Sequence, residues 1–330
     1  MSAPSRREFL AGAAGAATVW AVGGAKVSAA PAIAERVVSP AEAALSETSF
    51  STVVMAQDSH LVPARIVQRG LLRTFLDRVV AEVAGEKEIG AAWRKFLSDD
   101  DHILIKFNRS MSTLIGTTSA MAETMVASLT KAGFDPGKII LLEVDPEVRE
   151  KTKTRIPDHR WQGKVVEFGA AGKDSFRADV DWATAIINVP FLKTHHRAVM
   201  TGCLKNLSHG LIRHPARFHG DGCAPGISEI NACEDLRSRL KLNIVNGLRM
   251  NFDGGADGSE NEIANAGLLL AGVDPVSCDT IGFRRINQVR SERGLGPILP
   301  GPTLPRQLEL AASRGVGIAN PERIELQPLE

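Results

Sequence analysis

No Cys-x-x-Cys pair occurs anywhere in the 330-residue chain, which removes the usual spacing of zinc-ribbon, thioredoxin-like and iron–sulfur cluster sites. The four cysteines, Cys203, Cys223, Cys233 and Cys278, are expected to be buried thiols for the most part, or to supply one structural bridge. There is no Gly-x-Ser-x-Gly elbow, so serine hydrolase chemistry has no support. No Gly-x-Gly-x-x-Gly or Walker pattern offers a phosphate cradle, and Gly254-Gly255 read as turn residues. The net charge is only +1, which gives no electrostatic case for nucleic acid or an anionic membrane as partner. After the first 34 residues no run of about 18 apolar residues follows, so no transmembrane helix is expected.

What is present begins with Ser5-Arg6-Arg7-Glu8-Phe9-Leu10. Paired arginines before Phe-Leu and a soft Ala/Gly-rich run over 9–22 match a twin-arginine (Tat) export signal. Lys26 follows the apolar run, and Ala32-Ile33-Ala34 supplies the small-x-small pattern of a cleavage site; Ser28-Ala29-Ala30 is the weaker option because Pro31 follows it. The chain is therefore expected to meet the Tat translocase and to work in the periplasm or otherwise outside the cytoplasm. Cleavage near Ala34 would remove three cations and Glu8, leaving a net charge near −1. Export in the folded state raises the prospect of a cofactor loaded beforehand.

Residues 35–60 are Ala/Ser/Thr-rich and read as a linker, with a single α/β domain over 61–330. Apolar residues at helical spacing predict helices over 62–83 and 89–96. Short apolar runs predict strands over 102–107, 138–144, 164–168, 184–189, 242–245, 266–271 and 323–326. Helices are expected over 117–129, closed by Gly133, and over 275–289, where Asp274 before Pro275 suits an N-cap. Strands alternating with helices imply an α/β fold with a mainly parallel sheet. The Gly/His/Arg-rich stretch 197–224 reads as an excursion from that core. Ligand sites in such sheets gather beyond the carboxyl ends of the strands, which draws attention to Lys106, Asn108 and Arg109, to Glu143, to Asn188 with Lys193 and His195, and to Asp253.

The densest polar stretch is Asn188-Val-Pro-Phe-Leu-Lys193-Thr-His195-His196, followed by Thr201-Gly-Cys-Leu-Lys205-Asn206. With Lys106-Phe-Asn108 before it and Asp274-Pro-Val-Ser-Cys-Asp279 after it, the chain resembles the domain of unknown function 362 family over roughly 103–294. The matching patterns are Lys-x-Asn at a strand end, Lys-x-His, Thr-Gly-x-x-Lys-Asn and Asp-Pro-x-x-x-Asp. Some members carry fused ferredoxin modules, whose cysteine runs are missing here. The resemblance implies fold and boundaries; the family's chemistry is not settled.

Residue chemistry suggests a small anionic ligand. Lys106, Arg109, Lys193 and Lys205 can hold phosphate or carboxylate, helped by backbone N–H groups at Thr201-Gly202, with Asn108 and Asn206 orienting the ligand. His195 and Lys193 are the candidate catalytic groups, with Asp253 as a general base. A divalent metal is compatible with His195, His219 and Asp279 as ligands; His196, His209 and His214 read as ordinary loop or surface histidines. These features suit an exported enzyme, by racemisation, isomerisation or metal-assisted hydrolysis. They also suit a noncatalytic carrier or maturation protein for a metal or cofactor.

Overall fold

The structure, a computed structural model, describes residues 50–329; the expected signal peptide over 1–34 and the first part of the expected linker lie outside them. The strands in chain order are β1 (Ser51–Gln57), β2 (Ile103–Lys106), β3 (Ile139–Leu142), β4 (Val166–Glu167), β5 (Lys173–Asp174), β6 (Ala185–Asn188), β7 (Phe191–His195), β8 (Val199–Thr201), β9 (Leu240–Asn251), β10 (Ile263–Ala264), β11 (Leu268–Gly272) and β12 (Ile324–Leu329). The main helices are α1 (Arg69–Ala84), α2 (Ile89–Phe96), α3 (Thr118–Lys131), α4 (Cys203–His209), α5 (Ala224–Ala232), α6 (Pro275–Glu292) and α7 (Arg306–Ser313).

The central path of the main sheet runs β12-β1-β11-β9-β6-β2-β3, with β7, β8 and β10 attached through β9. The run β9-β6-β2-β3 is parallel throughout, as the βαβ pattern of the sequence implies. The strand β11 runs antiparallel to both β9 and β1. The sheet is thus mainly parallel but mixed. Alternation along its strands sorts the core. Ile103, Ile105, Ile139, Leu141, Ile187 and Ile244 pack on one face under α1, α2 and α3. On the other face Val245, Leu268 and Leu270 meet α6, while Leu104, Ile140 and Ile186 meet the segment around Phe168 and Phe176. In α1 the buried residues Leu72, Leu76, Val79 and Val80 fall on one stripe, and each fully buried aliphatic side chain contributes about 1.5–3 kcal/mol.

Three expectations change. The expected linker over 35–60 contains β1, which pairs with β11 and β12 and buries Val53, Val54 and Ala56; its apolar run Val53-Val54-Met55-Ala56 is as long as that of β3 but follows an Ala/Ser/Thr-rich stretch that masks it, and neighbours on both sides satisfy its backbone. The run 164–168 gives only β4, paired with β5 in a separate two-stranded sheet. The stretch 197–224 is no excursion throughout: β8 joins the main sheet, and six of the seven residues of α4 are buried. Where β1 hands over to the next turn, Gly267 sits at φ +57°, and a Cβ there would overlap the Asp58 carbonyl oxygen. Gly267→Ala is expected to lower stability by about 2–3 kcal/mol through overlap and a disfavoured φ, seen as a lower urea midpoint with unchanged slope.

Candidate active site

Lys106 and Asn188, the last residues of β2 and β6, are cross-strand neighbours, and Glu143 follows β3 beside them. At this carboxyl edge a cavity of about 270 Å³ opens. Lys106, Asn108, Lys193, His195, Lys205 and Asn206 all line it, with Arg109 at its mouth. Four separate stretches of sequence therefore meet at one place. Two larger clefts, of about 580 and 620 Å³, lie elsewhere and assemble none of these residues.

The cations differ in what surrounds them. The fully buried Lys106 ammonium is paired with Glu143 at 3.0 Å and donates to Phe107 O at 2.5 Å and to Asn206 Oδ1 at 3.2 Å. Burial pulls its pKa down, and the Glu143 carboxylate opposes that. Glu143 also accepts from Arg109 N–H at 2.7 Å and adopts φ 63°, a left-handed conformation that costs a non-glycine residue of order 1–3 kcal/mol. Val199 and Cys223 share that strain, at φ 66° and 65°. Lys193 and Lys205 are 1% and 6% exposed, yet neither has a carboxylate partner among the described residues. Among the described residues Lys193 donates only to Ser110 Oγ, at 3.4 Å. Burial, reinforced by the charge of Lys205, pulls the Lys193 pKa down to about 8. Burial brings Lys205 to about 8 as well.

His195 is held by its backbone. The N–H groups of Arg197 and Ala198 both donate to its Nδ1, each at 3.1 Å. Nδ1 must therefore carry the lone pair, and the neutral ring keeps its proton on Nε2. Burial, followed by the charges of Lys205 and Lys193, drives its pKa down to about 3. His195 is thus a neutral hydrogen-bond donor at ordinary pH. A histidine that ligates a metal through Nε2 usually donates its Nδ1–H outward, an arrangement that two facing N–H groups forbid.

Asparagines bind these parts into one network. Asn108 Nδ2 donates to Asn206 Oδ1 at 3.3 Å; Asn206 Nδ2 donates to Asn188 Oδ1 at 2.8 Å; Asn188 Nδ2 donates to Asn243 Oδ1 at 2.9 Å. Asn243 Nδ2 ends the row on the carbonyls of Gly272 and Val273. Among the described residues, three that line the cavity each carry a buried polar atom without a hydrogen-bond partner: Asn108 Oδ1, Thr201 Oγ1 and His209 Nε2. Polar groups buried without partners are uncommon in native proteins, and a cluster of them beside two lone cations marks a ligand site.

Two expected members stand elsewhere. The Asp253 carboxylate, just after β9, is turned to Arg290 of α6, with which it pairs at 2.7 Å, and it does not line the cavity. Asp279 lies beneath the site, where its carboxylate accepts from Cys203 N at 2.5 Å and Leu204 N at 3.0 Å. It fills the start of α4 so closely that a Cβ on Gly202 would overlap it. The N–H groups of Cys203 and Leu204 at the start of α4 are thereby occupied, which leaves them closed to an anion. Burial raises the Asp279 pKa to about 7 against those hydrogen bonds. Asp279 is a positioning residue, and the expected metal set of His195, His219 and Asp279 is not assembled. Asp274 caps α6 through Val276 N and Ser277 N, as its sequence context implies; because β11 runs against β9, it emerges at the opposite edge of the sheet.

Four participants lay outside the expected set. Glu143, in the sequence no more than a strand end, pairs with Lys106. His209 follows Lys205 by four residues on a helix, a spacing that puts both on one face. Gly210 lets the Lys106 chain pass, since a Cβ there would overlap Lys106 Cε and Nζ. Cys223 follows His219 by four residues. All four thiols are free, and Cys203, Cys223 and Cys278 are buried. Among the described residues no helix is long and apolar enough to cross a membrane.

No curated protein matches this chain. A model of the family described as Domain of unknown function (DUF362) matches residues 152–284, a span that takes in Lys193, His195, Lys205, Asn206 and Asp279, and it supports the family resemblance that these motifs carry.

Proposed function

We propose that this protein is an exported enzyme that binds a small carboxylate or phosphate and moves a proton on it. The observation that supports the reading best is the pair Lys193 and Lys205: two nearly buried ammonium groups at a common cavity, without a protein counter-charge among the described residues. Burying an uncompensated cation costs several kcal/mol, and an anionic ligand removes that cost. One lysine holds the anion as an ammonium. The other, with its pKa near 8, lies where a general base works at neutral pH. His195 Nε2–H then donates to the oxygen on which charge develops. This favours racemase- or isomerase-type proton transfer beside a carboxylate or phosphate group. The twin-arginine pattern read in the sequence supports a place of work outside the cytoplasm.

The test is calorimetric titration with inorganic phosphate and, separately, with oxalate, which tells the two anion classes apart. Lys193→Ala is expected to weaken the better ligand at least about 30-fold, equivalent to about 2 kcal/mol. Incubating chiral small carboxylates in heavy water and following deuterium at carbon then reads proton transfer directly. Equal anion affinity in wild type and Lys193→Ala would overturn the site assignment; tight stoichiometric binding with no exchange on any tested carboxylate would point to carriage instead.

A further inference from the structure

We infer that His209, His219 and Cys223 form a binding site for a single transition-metal ion, zinc by its ligand chemistry, with one position open toward the cavity. A ring nitrogen from each histidine and Cys223 Sγ all lie within 4.8 Å of one another. Zinc bonds of about 2.0–2.1 Å to nitrogen and 2.3 Å to sulfur set tetrahedral ligands roughly 3.3–3.6 Å apart, so a closure of about an ångström completes the set. The two imidazoles are already oriented for it. The Ser208 hydroxyl donates to Lys205 O at 3.2 Å, so its oxygen is left to accept from His209 Nδ1 at 3.0 Å. His219 Nδ1 donates to Pro215 O, also at 3.0 Å. Each ring thus spends its Nδ1 proton on an oxygen and leaves a lone pair on Nε2, the outer-shell arrangement that fixes metal-binding histidines. In His209 that Nε2 is buried and makes no hydrogen bond.

The remaining geometry agrees. The rings of His209 and His219 meet edge to face with centroids 4.6 Å apart, close enough to share an ion. Cys223 is fully buried, and its φ of 65° is a strained conformation of the kind that persists where a side chain must be aimed. Both histidines line the cavity that holds Lys193 and Lys205, whereas Cys223 does not; the uncovered side of the trio therefore faces that cavity. Two imidazoles and one thiolate with an open fourth position suit zinc better than magnesium or calcium, which prefer oxygen ligands.

The inference goes beyond the anion reading and does not depend on it. The full chain is stripped with a chelator, loaded with zinc alone, desalted and subjected to elemental analysis; cobalt loading then reports a thiolate charge-transfer band. Wild type is expected to retain one zinc per chain. Cys223→Ser should lose the cobalt band and weaken zinc at least about 100-fold, above the 10–100-fold typical of outer-shell changes. His219→Gln, at a partly exposed site, serves as a second ligand variant should Cys223→Ser fail to fold, and it too should lose zinc. Cys233→Ser and Lys193→Ala should keep it. Negligible zinc in folded wild type, or an unchanged cobalt band in Cys223→Ser or full zinc uptake in His219→Gln, would overturn the site, while loss of phosphate and oxalate binding alone would leave it standing.

Discussion

Replacing Lys205 with Met is expected to make the unliganded protein more stable while abolishing its affinity for anions. Lys205 is 6% exposed, and its pKa falls from 10.5 to about 8 through burial. At about 1.4 kcal/mol per pKa unit, keeping that ammonium charged inside the fold costs roughly 3 kcal/mol. Met has a similar length, bends to fill the same space and carries no charge. A net gain of about 1–3 kcal/mol in urea unfolding is therefore expected at pH 7. The folded pKa lies below the unfolded one, so the cost is fully present below pH 8. Between about pH 8 and 10.5 the unfolded chain still holds a proton that the folded chain has shed, and folded wild type gains. The gap between Lys205→Met and wild type should close over that window. The buried thiols Cys203 and Cys223 and the half-buried Cys233, whose pKa values are raised by desolvation, push the other way in both proteins, so the comparison has to be made as a difference. A variant less stable than wild type at pH 7, with its structure intact, would mean that Lys205 is compensated in some other way.

Asp279→Ala is expected to do the opposite. It strips the acceptors from Cys203 N and Leu204 N at the start of α4. Each buried N–H left bare costs about 1–3 kcal/mol, so a loss of about 2–6 kcal/mol is expected. The same change should weaken anion binding, because α4 carries Lys205 and Asn206. Asp279→Asn keeps one acceptor oxygen and should cost far less. The pH dependence separates the carboxyl's charge from its shape. Its folded pKa, about 7, lies above the ordinary 3.8, so the stability it supplies is complete below pH 4 and is lost as pH rises through 7. Wild type should lose ground to Asp279→Asn across that window. Full stability together with full phosphate affinity in Asp279→Ala would remove Asp279 from any positioning role.

Much of this was legible in the residues, for identifiable reasons. Helix α2 and strands β2, β3 and β6 were expected close to where they form, because each is an apolar run or stripe bounded by polar residues. The motifs around Lys106, Lys193, His195 and Lys205 converge because the sheet is parallel where they sit. Strand β9 runs to Asn251, far past the expected 242–245, because Asn246, Arg249 and Asn251 find buried partners that no local pattern announces; Arg249, for instance, donates to the carbonyls of Leu114 and Ile115. Asp253 and Asp279 carry the right chemistry for a site, but only tertiary contacts show that Arg290 and the α4 backbone already use them. The sequence reads His209 as an ordinary histidine and Cys223 as a buried thiol, because their meeting depends on the turn over 215–223, whose geometry local propensity does not determine.

The row of amides from Asn206 through Asn188 to Asn243 has a polarity. Each amide nitrogen donates to the next oxygen, and the first oxygen in the row faces the Lys106 ammonium. The three dipoles point the same way, negative ends toward the cation, and reinforce one another in a medium of low polarity. The interior thus solvates an ion with fixed groups in place of mobile water. Such groups need no rearrangement when a charged ligand arrives above them, which keeps reorganisation energy low at the floor of the site.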